Sequence, residues 1–201
     1  FYPTTDPSID AAQFAASGEA DLTAWRRANV TRLVKAAHDA VKAADPTLRF
    51  GVSPQGNPDN DRNEQYTDLS VWLTASGADA VVDYLCPQIY WGYGYTLSSG
   101  STRFAFENIL PEWLSYPRAE DVALYFGLGA YRIGTGDGSS DGDSLRRWST
   151  GSALAEQVED LRSKGAQGWA LYRYGSLFGA SAPELAAAEC AALRRINGAE
   201  P

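Results

Sequence analysis

Apolar positions in this chain alternate between two patterns, stretches with a helical period and short runs that are apolar almost throughout. From residues 23 to 44 the positions Trp25, Val30, Leu33, Val34, Ala37 and Val41 recur at helical spacing, with Asp21 or Thr23 as the N-cap and Asp45-Pro46 as the stop. Residues 48–54 follow as a short apolar run closed by Pro, Gly and Asn, which predicts a buried strand opening into a loop. The alternation then repeats. A polar, Asn-rich loop at 55–64 leads to a helix around 68–75 and a strand at 81–90; a Gly/Ser/Tyr-rich loop at 91–101 leads to a helix at 103–114 and a strand at 123–129. A last unit comprises a Gly/Asp/Ser loop at 134–144, a helix at 152–164, a strand at 168–173 and a closing Ala-rich helix at 183–196. The opening Phe1-Tyr2-Pro3 reads as the end of one further strand.

Strands this apolar, separated by amphipathic helices, predict a parallel sheet covered by helices rather than an antiparallel sheet with a wet face. No glycine-rich turn joins the first strand to a helix, which speaks against a nucleotide-binding open sheet. The loops after strands are long and rich in Asn, Tyr, Trp and Gly, whereas those after helices are short. That asymmetry points to a (β/α)8 barrel with its functional residues at the strand C-termini. Four units and a strand end make only the second half of such a barrel, here treated as a single domain over residues 1–201 and as a fragment. Its open sheet edges call for a missing barrel half or a second chain.

Composition narrows the partners. A formal charge of −8 and a pI near 4.6 exclude a protein that grips nucleic acid by neutralising phosphates. No apolar run is long enough for a transmembrane segment, and no signal peptide is visible. Cys86 and Cys190 are too few for a disulfide framework and fit no metal spacing, so both are read as buried thiols, and no metal or cofactor is expected. The chain has no Met, even at its start, which suggests that its natural beginning has been removed.

The segments Phe1-Tyr2-Pro3, Trp25-Arg26-Arg27-Ala28-Asn29-Val30, Phe50-Gly51-Val52-Ser53-Pro54, Asp83-Tyr84-Leu85-Cys86-Pro87-Gln88-Ile89-Tyr90-Trp91 and Gly127-Leu128-Gly129-Ala130-Tyr131 closely resemble, in order and spacing, the glycosyl-hydrolase-like 10 family. That resemblance implies a bacterial envelope or extracellular protein with a TIM-barrel domain that hydrolyses glycosidic bonds in polysaccharide or peptidoglycan glycan. It also implies that the family's acidic pair lies just before the Phe-Tyr-Pro segment, outside this sequence. The Cys86 position is commonly Thr or another small residue in such proteins.

Glycoside hydrolysis ordinarily uses two carboxyl groups flanking the bond. None stands at the four strand C-termini, and Asp83 and Asp121 begin strands, where barrels keep residues for stability. Asp6, just after the opening stub, is the best-placed candidate catalytic acid, with turn duty beside Pro7 as its alternative. Gln88, Tyr90 and Trp91 are the sharpest candidate cluster for sugar binding, because aromatic faces with an amide nearby match the apolar faces and polar edges of a sugar. Tyr131 and Tyr172, at the ends of the last two strands, join them as hydrogen-bond donors, with core filling as the alternative for Tyr172. Asn57 serves either ligand contact or a turn, and Arg26 either steers an acidic residue or binds a substrate carboxylate. The acids of 59–64 read as solvated turns, and Asp137, Asp141 and Asp143 as part of a flexible lid with too little periodicity for a calcium loop. His38, the single histidine, is expected on a solvated helix face, which leaves no base for a nucleophilic triad.

Overall fold

A computed structural model describes residues 4–179 and 182–198. The Phe1-Tyr2-Pro3 stub lies outside them. The chain resolves into two compact units, one of residues 4–85 with 116–123 and one of residues 86–115 with 124–179 and 182–198.

The first unit opens with α1 (Ala11–Ser17) and the long α2 (Leu22–Ala44). Asp21 caps α2 by accepting the N–H groups of Thr23 and Ala24, at 2.8 and 3.0 Å. β1 (Gly51–Val52), α3 (Pro58–Asn63), α4 (Leu69–Thr74) and β2 (Tyr84–Leu85) follow. β1 and β2 pair in parallel with Gly51 opposite Tyr84. A Cβ at Gly51 would sit 2.4 Å from the Tyr84 ring, so only glycine lets that ring lie across the neighbouring strand. Val30 and Val34 of α2, Trp72 and Leu73 of α4, and Val81, Val82 and Leu85 form the buried apolar set of this unit. Trp72 adds a polar tie by donating its indole N–H to Thr31 Oγ1 at 2.9 Å.

The second unit contains α5 (Phe106–Leu114), β3 (Ala123–Leu128, from Leu124 onward), α6 (Ser144–Arg147), α7 (Ala153–Ser163), β4 (Gly168–Leu171), α8 (Tyr174–Phe178) and α9 (Pro183–Ile196). β3 and β4 pair in parallel from Tyr125 opposite Gly168 to Leu128 opposite Leu171, and Gln88 makes a parallel bridge to Gly127. The glycine-under-tyrosine device recurs, since a Cβ at Gly168 would lie 2.8 Å from the Tyr125 ring. Phe106, Ile109, Leu110 and Trp113 of α5 are fully buried, as are Leu124, Phe126 and Leu128 of β3. α7 packs on α9 and β4. From α9, Glu189 accepts the N–H groups of Ala153 at 2.6 Å and Leu154 at 3.2 Å, satisfying the exposed donors of the α7 N-terminus. Burial raises the pKa of that carboxyl.

Every strand pairing among the described residues is parallel, and strands alternate with helices, so the chain is α/β as the hydrophobic pattern predicts. The ladders are shorter than the apolar runs. Pro54 and Pro87 each stand two residues past the last paired residue of β1 and β2 and have no N–H to donate, and pairing after β2 resumes only at Gln88. α1, α3, α6 and α8 were not anticipated from the sequence. His38 also differs from expectation. It is 6% exposed, edge-on to Phe50 with ring centroids 6.2 Å apart, and its Nδ1 lies 3.1 Å from Asp39 Oδ1. Residue 50 and Asp83, 45 positions away, cover a helix face that looks solvent-directed in the local sequence.

Candidate functional site

Three of the expected residues come together in the second unit. Past β3 the chain enters a single turn at 130–132, and past β4 it enters α8; the N–H of Tyr131 donates to the carbonyl of Tyr172 at 3.2 Å, tying the two strand ends. On this support the Tyr90 ring stacks on Tyr172, with centroids 5.8 Å apart and planes at 22°. Tyr131 stands edge-on to both, 5.6 Å from Tyr90 and 6.1 Å from Tyr172. Tyr172 is 53% exposed, so one ring of the triad offers much of its surface to solvent. Burial, followed by the neighbouring Tyr131, Cys86 and Tyr172, pushes the Tyr90 phenol up to about 12, which keeps it a neutral hydrogen-bond donor at physiological pH. Gln88 reaches the same region through its bridge to Gly127 and is half-buried.

Trp91 belongs to a second aromatic group. It stacks on Phe104 at 5.0 Å and 19° and tilts against Tyr95 at 5.9 Å, and its carbonyl accepts the Gln157 side-chain amide at 2.8 Å. The adjoining loop departs from the expected flexible lid. Asp137 is 5% exposed and its carboxylate accepts the Gly92 N–H at 2.8 Å, the Trp148 indole N–H at 2.9 Å, the Ser139 N–H at 3.1 Å and the Ser144 hydroxyl. Burial pushes this carboxyl up, and the four donors together carry it below its ordinary value. Both oxygens are saturated, so Asp137 is a pin for the loop. Asp141 and Asp143 pair with Arg147 and Arg146, at 2.8 Å in each case. Among the described residues no group of three or more His, Cys, Asp or Glu is placed to hold a metal ion.

The first unit treats its expected site residues differently. Arg26, 0% exposed, makes a bidentate pair with Asp10, Nε to Oδ2 at 2.9 Å and Nη2 to Oδ1 at 2.6 Å. Its remaining donors go to the Tyr66 hydroxyl at 2.6 Å and to the carbonyls of Thr5 and Asp6 at 3.2 and 2.8 Å. A buried guanidinium engaged in this way has no donor left for the substrate carboxylate that was one of the two expectations for Arg26. Asp10's hydrogen bond raises the Arg26 pKa further. Asp6 is exposed and accepts the Ser8 N–H at 2.8 Å, the turn role beside Pro7; that bond holds it below its ordinary pKa, which suits a base better than a proton donor. Asn57 caps α3 by accepting the N–H groups of Asp59 and Asn60, at 3.0 and 3.4 Å. Cys86 and Cys190 are half-buried rather than fully buried.

Sequence reasoning passed over Tyr66 and Asp10, and the solvated turn expected for Asp61 is overturned by its burial. Tyr66 is 4% exposed with φ +56°, a left-handed conformation uncommon for a bulky residue, held by its hydroxyl on Arg26. Asp61 is 1% exposed; Oδ1 accepts the Gln55 N–H at 2.9 Å while Oδ2 has no partner, and burial pushes its pKa up to about 7. The positive φ of Tyr66 and the distant partner of Asp10 have no local signature in the sequence; a carboxylate one turn past a strand and its proline, as at Asp61, is one worth weighing for burial.

Parallel strands alternating with helices, with tyrosines gathered at the strand C-terminal ends, fit part of a (β/α)8 barrel. Residues 8–142 match the family described as Glycosyl hydrolase-like 10, and the chain belongs to that family. Relatives include Glycosyl hydrolase YngK of Bacillus subtilis (strain 168), 32% identical over an alignment of 142 residues that covers 62% of this chain and 26% of the relative. Glycosyl hydrolase DigH of Escherichia coli (strain K12) is 27% identical over 124 residues, 55% of this chain and 26% of the relative. The matched segments thus span about a quarter of the length of these relatives.

Proposed function

We propose that the protein acts on glycosidic bonds of an extracellular or envelope glycan, a polysaccharide or the glycan of peptidoglycan, and that this chain supplies the sugar-binding wall while carboxylates elsewhere supply the acid/base chemistry. The observation that carries this reading is the Tyr90, Tyr131 and Tyr172 triad at the ends of parallel strands. Tyrosine rings present both an apolar face and a hydrogen-bonding edge, as sugar recognition requires. The names of the relatives YngK and DigH, both glycosyl hydrolases, support the same class. In this reading β4, paired on one side only among the described residues, and the apolar groove of about 510 Å3 beside it lined by Trp169, Leu171, Leu177, Phe178 and Leu193, take the remaining βα units of a barrel or a second chain.

A second reading, binding without turnover, draws support from Asp137: the buried acid beside Trp91 and Gly92 is fully hydrogen-bonded and unavailable for proton transfer. Assays of the intact protein separate the two. Release of reducing ends from peptidoglycan or polysaccharide supports the hydrolase; measurable glycan binding without release supports the module. In either case Tyr90→Ala is expected to weaken glycan binding about 10- to 100-fold, the loss from unstacking one aromatic platform. Unchanged affinity in a normally folded variant contradicts the assignment.

A further inference from the structure

The second unit holds a smaller pocket of about 260 Å3 where the segments after β3 and β4 meet, lined by Tyr131, Thr135, Arg173 and Ser176 with apolar contributions from Ala130 and Ile133. Tyr131 is shared with the tyrosine triad, so the pocket adjoins the proposed sugar wall. Its charge is the feature to explain. The chain carries a net −8, and two arginines of the same unit are claimed by carboxylates, Arg146 by Asp143 and Arg147 by Asp141. Arg173 is exposed and has no ion pair or hydrogen bond from its guanidinium among the described residues. A second guanidinium, that of Arg132, lies over the Tyr131 ring with its carbon 4.6 Å from the centroid, and its Nε is buried without a partner. Arg132 thus lies on the Tyr131 ring and Arg173 lines the pocket that this ring shares, and neither is paired with a carboxylate among the described residues.

The hydroxyls around them differ in role. Thr135 donates to the carbonyl of Tyr131 at 2.9 Å, which leaves its oxygen as an acceptor. Ser176, half-buried, is tied to Arg173 through its backbone N–H, at 2.9 Å, and its hydroxyl has no partner among the described residues. A fork of guanidinium N–H groups and a hydroxyl donor suit a planar carboxylate, and an acceptor beside a tyrosine ring suits a sugar hydroxyl.

We propose that this pocket is a subsite for a sugar bearing a carboxylate, with Arg173 and Ser176 on the carboxylate and Thr135 and Tyr131 on the ring. The assignment rests on the glycan reading above and narrows it to acidic glycans. The carboxylate comes either from a uronic acid ring or from an acid carried on an ether substituent, and the two are separable. Titration calorimetry of the intact protein compares a glucuronate-containing tetrasaccharide and a lactyl-ether-bearing amino-sugar tetrasaccharide, each against its carboxyl-reduced counterpart. One acidic form is expected to bind about tenfold more tightly than its reduced form, and which one identifies the source. Arg173→Gln is expected to remove that ratio, and Arg173→Lys to restore part of it; 0.5 M salt reduces it as well. Equal binding of acidic and reduced sugars, or a ratio that survives Arg173→Gln, overturns the subsite and leaves the glycan reading standing. Absence of binding to all four overturns both.

Discussion

The two compact units treat an arginine beside a tyrosine in opposite ways. In the first, Arg26, Asp10 and Tyr66 are buried together and almost every donor is spent, so residues that look like ligand contacts in the sequence serve the fold. In the second, tyrosines stack on one another yet keep exposed surface, and Arg132 and Arg173 keep donors unspent. Residue type does not separate these cases, because both are Arg next to Tyr. Saturation does. A guanidinium with its hydrogen bonds complete is part of the architecture, whereas one with donors left over beside an aromatic surface is available to a ligand.

Breaking the first unit's network is the strongest test of that contrast. Arg26→Met leaves Asp10 buried without its partner and is expected to cost about 3–5 kcal/mol by denaturant unfolding, with Asp10→Leu added to it recovering a large part. A cost below about 1 kcal/mol for Arg26→Met would mean that the pair is not buried as described. Asp61 gives the next effect. Its carboxyl ionises near pH 3.8 in the unfolded chain and near 7 in the folded one, so between these values the folded state holds the extra proton. Stability therefore falls as pH rises through that window and levels off above it, by roughly 2–4 kcal/mol. Asp61→Asn is expected to flatten the profile. A profile of the wild type that is already flat from pH 4 to 7 contradicts the burial of this acid. Gly168→Ala, which drives a methyl into the Tyr125 ring, sharpens the comparison from the other side with an expected loss of about 1–3 kcal/mol in thermal or chemical unfolding.

Much of the fold was legible. The α2 helix with its Asp21 cap and the α9 helix read directly from periodicity, caps and stops, because both bury one apolar stripe. α3 was not, since Pro-Asp-Asn-Asp-Arg-Asn carries no stripe; it forms because Asn57 caps it and Pro58 opens it. α1 buries no side chain, so no pattern marks it. The tyrosine positions at strand ends were legible because barrels deliver strand C-termini to one face. The partners were not. Asp10 reaches Arg26 across 16 positions and Asp137 reaches Gly92 across 45, and spacing carries no trace of either. For the same reason the loop around Asp137 looked mobile in a Gly/Ser-rich sequence, although four donors fix it.

The measurement closest to the central claim is a 1H–13C spectrum of the intact protein with labelled tyrosine rings, titrated with an N-acetylglucosamine tetrasaccharide. The account predicts that the signals of Tyr90, Tyr131 and Tyr172 shift together along one binding curve while those of Tyr84 and Tyr125, held over glycines between strands, stay in place. Shifts confined to Tyr84 and Tyr125, or no movement of the other three at saturating sugar, would contradict it.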